Sequence, residues 1–179
     1  IGEGANDVLR AFIVGLYGLR DVGLELKGVL DALMNPFGNL GKLGGFASRR
    51  IGGLFEPHNV ETRAAALQEE AASLGKLIGT FGSTVERLLR RYQESIFDRQ
   101  YQLGRTADAA IELYVSSCVL NRLDRLLRDE HASDTERTRD LRVGRYYLLT
   151  AARRIRRNLA DLWDNDDAET TRIANLALT

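Results

Sequence analysis

One stripe constrains this chain more than any other feature. From Val60 to Tyr92, apolar or small residues fall at Val60, Ala64, Leu67, Ala71, Leu74, Ile78, Phe81, Val85, Leu88 and Tyr92. The steps alternate four and three without a miss. A period of 3.5 residues keeps one line of side chains facing near-antiparallel neighbours, so the stretch predicts a long helix with a packing seam. About 33 residues at 1.5 Å each make a rod of roughly 50 Å. Asn59 is the expected N-cap and Glu61 suits the first turn. Gly75, Gly79 and Gly82 mark a bend or a close crossing. The stripe reads as core, not as a cofactor site.

Two further helices follow. One is expected over about Phe97 to Arg128, burying Leu103, Ala107, Ala110, Ile111, Tyr114, Cys118 and Val119, with Leu123, Leu126 and Leu127 extending the face. Cys118 on that face behaves as a small hydrophobe. Arg105, three residues before Asp108, and Glu112 make ordinary exposed helix pairs. After the polar turn Asp129 to Thr138, Ser133 or Asp134 caps a helix from about Glu136 to Trp163. Its buried face carries Leu141, Leu148, Ala152, Ile155, Leu159 and Leu162. Arg153-Arg154-Ile155-Arg156-Arg157 is the densest basic cluster, but Asp161, Asp164, Asp166 and Asp167 follow it closely. The better reading is a solvated, self-neutralising face. Thr170 to Leu178 adds a short last helix.

Upstream, Val8, Leu9, Phe12, Ile13, Leu16 and Tyr17 begin another apolar face, capped by Asn6 or Asp7 and continuing to Leu33. Gly15, Gly18, Gly23 and Gly28 interrupt it. Each glycine weakens a helix by about 1 kcal/mol against alanine, so close approach of another backbone, a bend, or a break near Gly23 is expected. No strand is predicted, and the fold class is all-α, an antiparallel up-down bundle of about four main helices.

Composition excludes several function classes. Lysines plus arginines number 25 and acids 25, so no global basic field points to nucleic acid. Cys118 is the one cysteine, which rules out an intrachain disulfide and suits a reducing, intracellular compartment. His58 and His131 are far apart with no metal-ligand spacing, so no metal site is expected. The glycines at 38–45 lack the Lys-Ser/Thr ending of a phosphate-binding loop.

Catalysis has one candidate. Glu3 stands between Gly2 and Gly4, just before a helix start, where a reactive carboxylate often sits. The run Glu3-Gly4-Ala5-Asn6-Asp7-Val8-Leu9-Arg10 resembles the Glu-Gly-Thr-Asn-Asp-Ile-Leu-Arg run of the flavin-dependent acyl-CoA dehydrogenases. Asn35-Pro36-Phe37-Gly38-Asn39 is similar to a segment of the very-long-chain branch. Val85 to Leu127 resembles the added C-terminal helical domain of that branch and of its close relative, family member 9. The resemblance covers nearly the whole chain and is weakest over the last ~15 residues. It implies that Glu3 is the catalytic base, that Gly4 lets the chain pass close to substrate, and that Ala5 and Asn6 lie near FAD. It also implies an acyl-CoA substrate of long or very long chain, a homodimer, and flavin-binding domains upstream of a C-terminal piece. The compartment would be cytoplasmic in a bacterium, or mitochondrial and peripheral to the inner membrane in a eukaryote. Ala5 stands where the family has Thr, and Gly2 where an aromatic residue commonly precedes the glutamate.

The chain divides into three parts on this reading. Residues 1–34 end the dehydrogenase helical domain, 35–58 form a Gly-rich linker, and 59–179 form the appended bundle. In the linker, Phe37, Leu40, Lys42, Phe46, Arg49 and Arg50 combine apolar and cationic side chains, with no acid from Ala32 until Glu56. That chemistry fits an interfacial segment on an anionic bilayer. The resemblance implies membrane association too; a loop tucked back against the bundle is the competing reading. For the whole chain, a non-catalytic helical module for dimerisation or membrane docking stands beside the enzyme reading.

Overall fold

The computed structural model describes residues 60–178. Helix α1 spans Gln68–Tyr92, α2 Gln100–Arg128, α3 Asp134–Ala160 and α4 Asp167–Ala177. The first three run up, down and up. Asp124 near the end of α2 meets the chain entering α1, and Glu112 and Arg122 of α2 meet Arg154 and Asp140 of α3. The expected antiparallel all-α bundle is therefore what these residues form. The predicted helix from Asp7 to Leu33 lies outside the described residues.

The seam of α1 does what its period predicts. Leu67, Ala71, Leu74, Val85 and Leu88 are buried, and Val60, Ala64, Ile78, Phe81 and Tyr92 pack against that core from partly buried positions. The rod is shorter than expected. A 3-10 turn covers Ala65–Leu67 and the α-helix begins only at Gln68, leaving 25 residues, roughly 38 Å. The cause is tertiary. Asp124 Oδ1 accepts the backbone N–H groups of Arg63 and Ala64, each at 2.8 Å, and holds Ala64 extended. Those donors are spent on another helix, so the chain there does not coil. Asn59, the expected cap, lies outside the described residues. At the other end Gln93 adopts φ 47°, and a 3-10 segment Gln93–Asp98 turns the chain into α2.

Helix α2 departs from expectation in phase. Leu103, Ala107 and Leu123 are buried as predicted, but Ile111, Tyr114 and Cys118 are exposed. The buried line is instead Gln102, Thr106, Ala109, Leu113, Ser116, Leu120 and Leu123. These positions also step by four and three. The sequence thus carries two heptad lines that share Leu123, and the structure buries the one with smaller side chains. The physical reason is how closely α2 packs, above all against α3 and also against α1. Small residues let both neighbours close in, whereas Ile111 and Tyr114 on that line would hold them apart. A close approach is seen at Gly144 of α3, where a Cβ would stand 2.6 Å from Leu123 Cδ1.

Helix α3 begins as expected, with Ser133 Oγ accepting the Glu136 backbone N–H at 3.2 Å. Its helical run ends at Ala160, short of Trp163. Ala152, Ile155, Leu159 and Leu162 are buried, and Leu141 and Leu148 pack beside them. Trp163 lies under the Arg87 guanidinium, 4.4 Å from its ring centroid. Helix α4 buries no residue. It is tied to α2 through Asp167, whose carboxylate receives both Arg105 Nη1 and Nη2, at 2.7 and 2.6 Å. Arg105 therefore takes a partner 62 residues away in place of the local Asp108 predicted for it.

Candidate functional site

The residues proposed from sequence for catalysis and cofactor, Glu3, Gly4, Ala5 and Asn6, lie outside the described residues. So do Phe37, Leu40, Lys42, Phe46, Arg49, Arg50 and His58. Among the described residues, His131 is exposed in the turn after α2, and no cluster of His, Cys, Asp or Glu has the make-up of a metal site. No described helix is long and apolar enough to cross a membrane.

The bundle holds three polar junctions instead, and each ties elements together. At the first, the Asp124 carboxylate accepts from Ala64 and Arg63, with Arg128 alongside at 3.1 Å. The Ala64 N–H above all, then Arg63 and Arg128, hold its pKa below the usual carboxylate range. At the second, Glu112 receives Arg154 through two nitrogens, at 2.5 and 2.9 Å, and the Tyr147 hydroxyl at 3.0 Å. Arg154 is the main reason its pKa is lowered. Burial first, and Glu112 second, push the Tyr147 phenol above its ordinary value. The third junction is the Arg105–Asp167 fork, whose hydrogen bond raises the Arg105 pKa. A carboxylate stabilised in its charged form is a weak proton acceptor, so Asp124 and Glu112 are built as anchors rather than bases. Apart from Arg128, four residues from Asp124, their partners lie 35 to 61 residues away, so local spacing did not mark the junctions.

A groove of about 300 Å³ opens between α1 and α3, floored by Ser116 of α2. Glu70 and Arg145 close one end: Arg145 Nε donates to Glu70 Oε1 at 2.6 Å and its Nη2 to the Ala66 carbonyl at 2.8 Å. Leu74, Leu77 and Leu148 form the walls, and Leu149 and Arg156 stand on the rim. No histidine or cysteine lines it, and its two acids and two arginines balance in charge.

The basic cluster of α3 is sorted by the fold. Arg154 pairs with Glu112, and Arg157 with Asp161 at 3.6 Å, as a self-neutralising face requires. Arg153 and Arg156 make no ion pair among the described residues, because Asp167 is taken by Arg105 and the cluster points two ways around the helix. The expected neutralisation is therefore only partial.

Comparison with known proteins adds the family. Residues 65–178 match the family model described as "ACAD9/ACADV, C-terminal domain". The chain is 35% identical over 166 residues to the mouse (Mus musculus) protein named very long-chain specific acyl-CoA dehydrogenase, mitochondrial. It is 34% identical to the proteins of that name from Rattus norvegicus, over 169 residues, and from Homo sapiens, over 166. These alignments take in 90 to 92% of this chain and 25% of each relative, so the chain spans about a quarter of the length of the relatives it matches. The matched domain coincides with the three packed helices and the α4 arm, and by that match the chain belongs to the acyl-CoA dehydrogenases of the ACAD9/ACADV type.

Proposed function

We propose that this chain is the C-terminal part of a FAD-dependent enzyme that oxidises long or very long chain acyl-CoA to the α,β-unsaturated thioester, a step of fatty acid β-oxidation. The observation that carries the reading is the domain match over 65–178 together with 35% identity over 90% of the chain, which reaches upstream of that domain. Glu3 removes the proton from the carbon next to the thioester. That proton is weakly acidic, so the base works only if it is close, oriented and partly desolvated. Bound FAD supplies the acceptor for the hydride that leaves the neighbouring carbon. The Glu3 backbone N–H donates to the thioester carbonyl and stabilises its developing charge. Gly4 leaves room for the substrate to approach, and Ala5 and Asn6 lie beside the cofactor. The assembly is a homodimer, mitochondrial in a eukaryote, and residues Phe37, Leu40, Lys42, Phe46, Arg49 and Arg50 touch the membrane surface.

The test is Glu3→Gln in the full-length protein. Acyl-CoA oxidation should fall by roughly 10²–10⁴-fold, the usual contribution of a general base. Unchanged turnover would remove Glu3 from the reaction, and a full-length wild type that oxidises no acyl-CoA would remove the enzyme reading.

A second reading, that the bundle itself is an interaction module, is supported by large side chains left open on α2 and α3. Tyr114 is 72% exposed and Tyr146 70%. The two readings are compatible: the base lies upstream, and the bundle serves contact.

A further inference from the structure

Two residues that line the groove between α1 and α3 carry buried polar atoms with no hydrogen-bond partner among the described residues, Glu70 Oε2 and Ser116 Oγ. Buried polar groups are nearly always satisfied, so two that face one cavity call for an explanation. Ser116 is only 2% exposed. The other Ser and Thr hydroxyls of α2 turn back on their own backbone. Thr106 Oγ1 donates to the Gln102 carbonyl at 2.8 Å, and Ser117 Oγ to the Leu113 carbonyl at 2.9 Å. Ser116 Oγ makes no such bond and stands at the groove floor. Glu70 spends Oε1 on Arg145 and keeps Oε2, an acceptor that only a donor can meet.

The groove is also polarised along its length. Glu69, Glu70 and Arg145 stand at one end and leave one negative charge over. Arg156, which makes no ion pair among the described residues, stands at the other. Arg145 and Arg156 are eleven residues apart on α3, roughly 16 Å along its axis. Leu74, Leu77, Leu148 and Ala152 line the walls between them. From end to end the lining offers a surplus acid, an apolar channel with one hydroxyl in its floor, and a guanidinium.

We propose that this groove binds an extended zwitterionic small molecule, with an ammonium at one end, a carboxylate at the other and an amide between them. The ammonium donates to Glu70 Oε2 beside Glu69, where an acceptor-only oxygen and surplus negative charge select a cationic donor. The amide meets the Ser116 hydroxyl, which can donate or accept. The carboxylate takes the fork of Arg156. Alkyl stems cover the leucines. A plain fatty acid would leave Glu70 Oε2 and Ser116 Oγ without partners, and a polyamine would oppose Arg156. A volume of about 300 Å³ lies at the lower end of the range for small-molecule sites, so one chain fits and a macromolecular surface does not. The site shares no residue with the Glu3 motif and stands independently of the enzyme reading.

The experiment is calorimetric titration of the full 179-residue chain with 6-(6-aminohexanamido)hexanoate, whose charged ends, when extended, lie about as far apart as the two ends of the groove. A dissociation constant of about 0.2 mM is expected for a ligand of this size. Ser116→Ala should weaken binding about fivefold to tenfold, by loss of one hydrogen bond, and Arg156→Gln about tenfold or more, by loss of a charged one. The N-acetylated probe, which lacks the ammonium, should also bind about tenfold more weakly or worse. Arg153→Gln removes the same charge from α3 outside the groove and should change binding by no more than about twofold. Urea unfolding without ligand separates a ligand contact from a structural one. Ser116→Ala should be at least as stable as wild type there, since the hydroxyl it removes has no partner to lose. Any of five results would overturn the proposal: no saturable binding up to about 5 mM probe, equal affinity of wild type and Ser116→Ala, an equal fall for Arg153→Gln and Arg156→Gln, equal binding of the acetylated probe, or a lower urea midpoint for Ser116→Ala.

Discussion

Helices α1 and α2 are similar in length, 25 and 29 residues, and both bury a line stepped by four and three. In α1 that line packs as expected, with Leu77 and Leu89 beside it also buried. In α2 two such lines compete, and the structure buries the one whose members include Gln102, Thr106 and Ser116 rather than the one with Ile111, Tyr114 and Cys118. Each of the three long helices touches the other two, but α2 packs most closely, against α3, where a methyl at Gly144 would meet Leu123. Small residues on its buried line suit that approach, because packing density limits how closely backbones come together.

The largest effects should test that difference directly. Leu88→Ala in α1 and Leu120→Ala in α2 each empty a site that is nearly or fully closed to solvent, and each should destabilise by about 3 kcal/mol in urea unfolding. Ile111→Ala, on the rejected line of α2, should cost well under about 1 kcal/mol. If Ile111→Ala matched Leu120→Ala, the phase of α2 described above would be wrong.

Next comes the joint where α2 overrides the start of α1. Asp124→Ala leaves the Arg63 and Ala64 N–H groups without their acceptor, and should cost about 2–3 kcal/mol. The junction also has a pH signature. The folded pKa of Asp124 is depressed, so its contribution is complete above the unfolded value of about 4 and is lost as pH falls through the folded value. Glu112 and Asp140 are shifted in the same direction. Stability should therefore drop on the acid side of about pH 4, and Asp124→Asn should flatten that slope. An unchanged slope in acid titration of the variant would place the acid sensitivity elsewhere.

A smaller effect probes the close approach itself. Gly144→Ala puts a methyl against the Leu123 side chain, which can shift but not freely, so a loss of about 1–2 kcal/mol is expected. A neutral result would mean that α2 and α3 are less tightly set than the small-residue line implies. The smallest effect belongs to the open side of α2. Tyr114→Ser should stay within about 0.5 kcal/mol of wild type. Cys118 should react with a thiol reagent in the folded protein without loss of helicity; protection of the thiol until unfolding would restore the buried face first expected for it.

Much of the fold was legible because periodicity is written in the chain itself. The seam of α1, the Ser133 cap, the face of α3 and the all-α bundle follow from spacing and from which side chains accept backbone hydrogens. The family was legible for a different reason: the Glu3 motif and the segments after it are short stretches that resemble the family, and the matched domain then bears out the family through its C-terminal part. What spacing could not supply was anything that depends on a distant partner. Arg105 was paired with Asp108 in sequence and found Asp167 in space. The cluster Arg153 to Arg157 looked self-neutralising, but in the fold Arg154 turned to Glu112 and Arg157 to Asp161, while Arg153 and Arg156 make no ion pair among the described residues.

The sequence by itself determined that long helices form here and how many lines each has available for burial, since both are properties of a period of 3.5 along one chain. Only the tertiary structure decided which line of α2 faces inward, where α1 begins, and which acids Arg105, Arg145 and Arg154 reach. Those are choices between locally equivalent options, and they are settled by contacts between residues tens of positions apart.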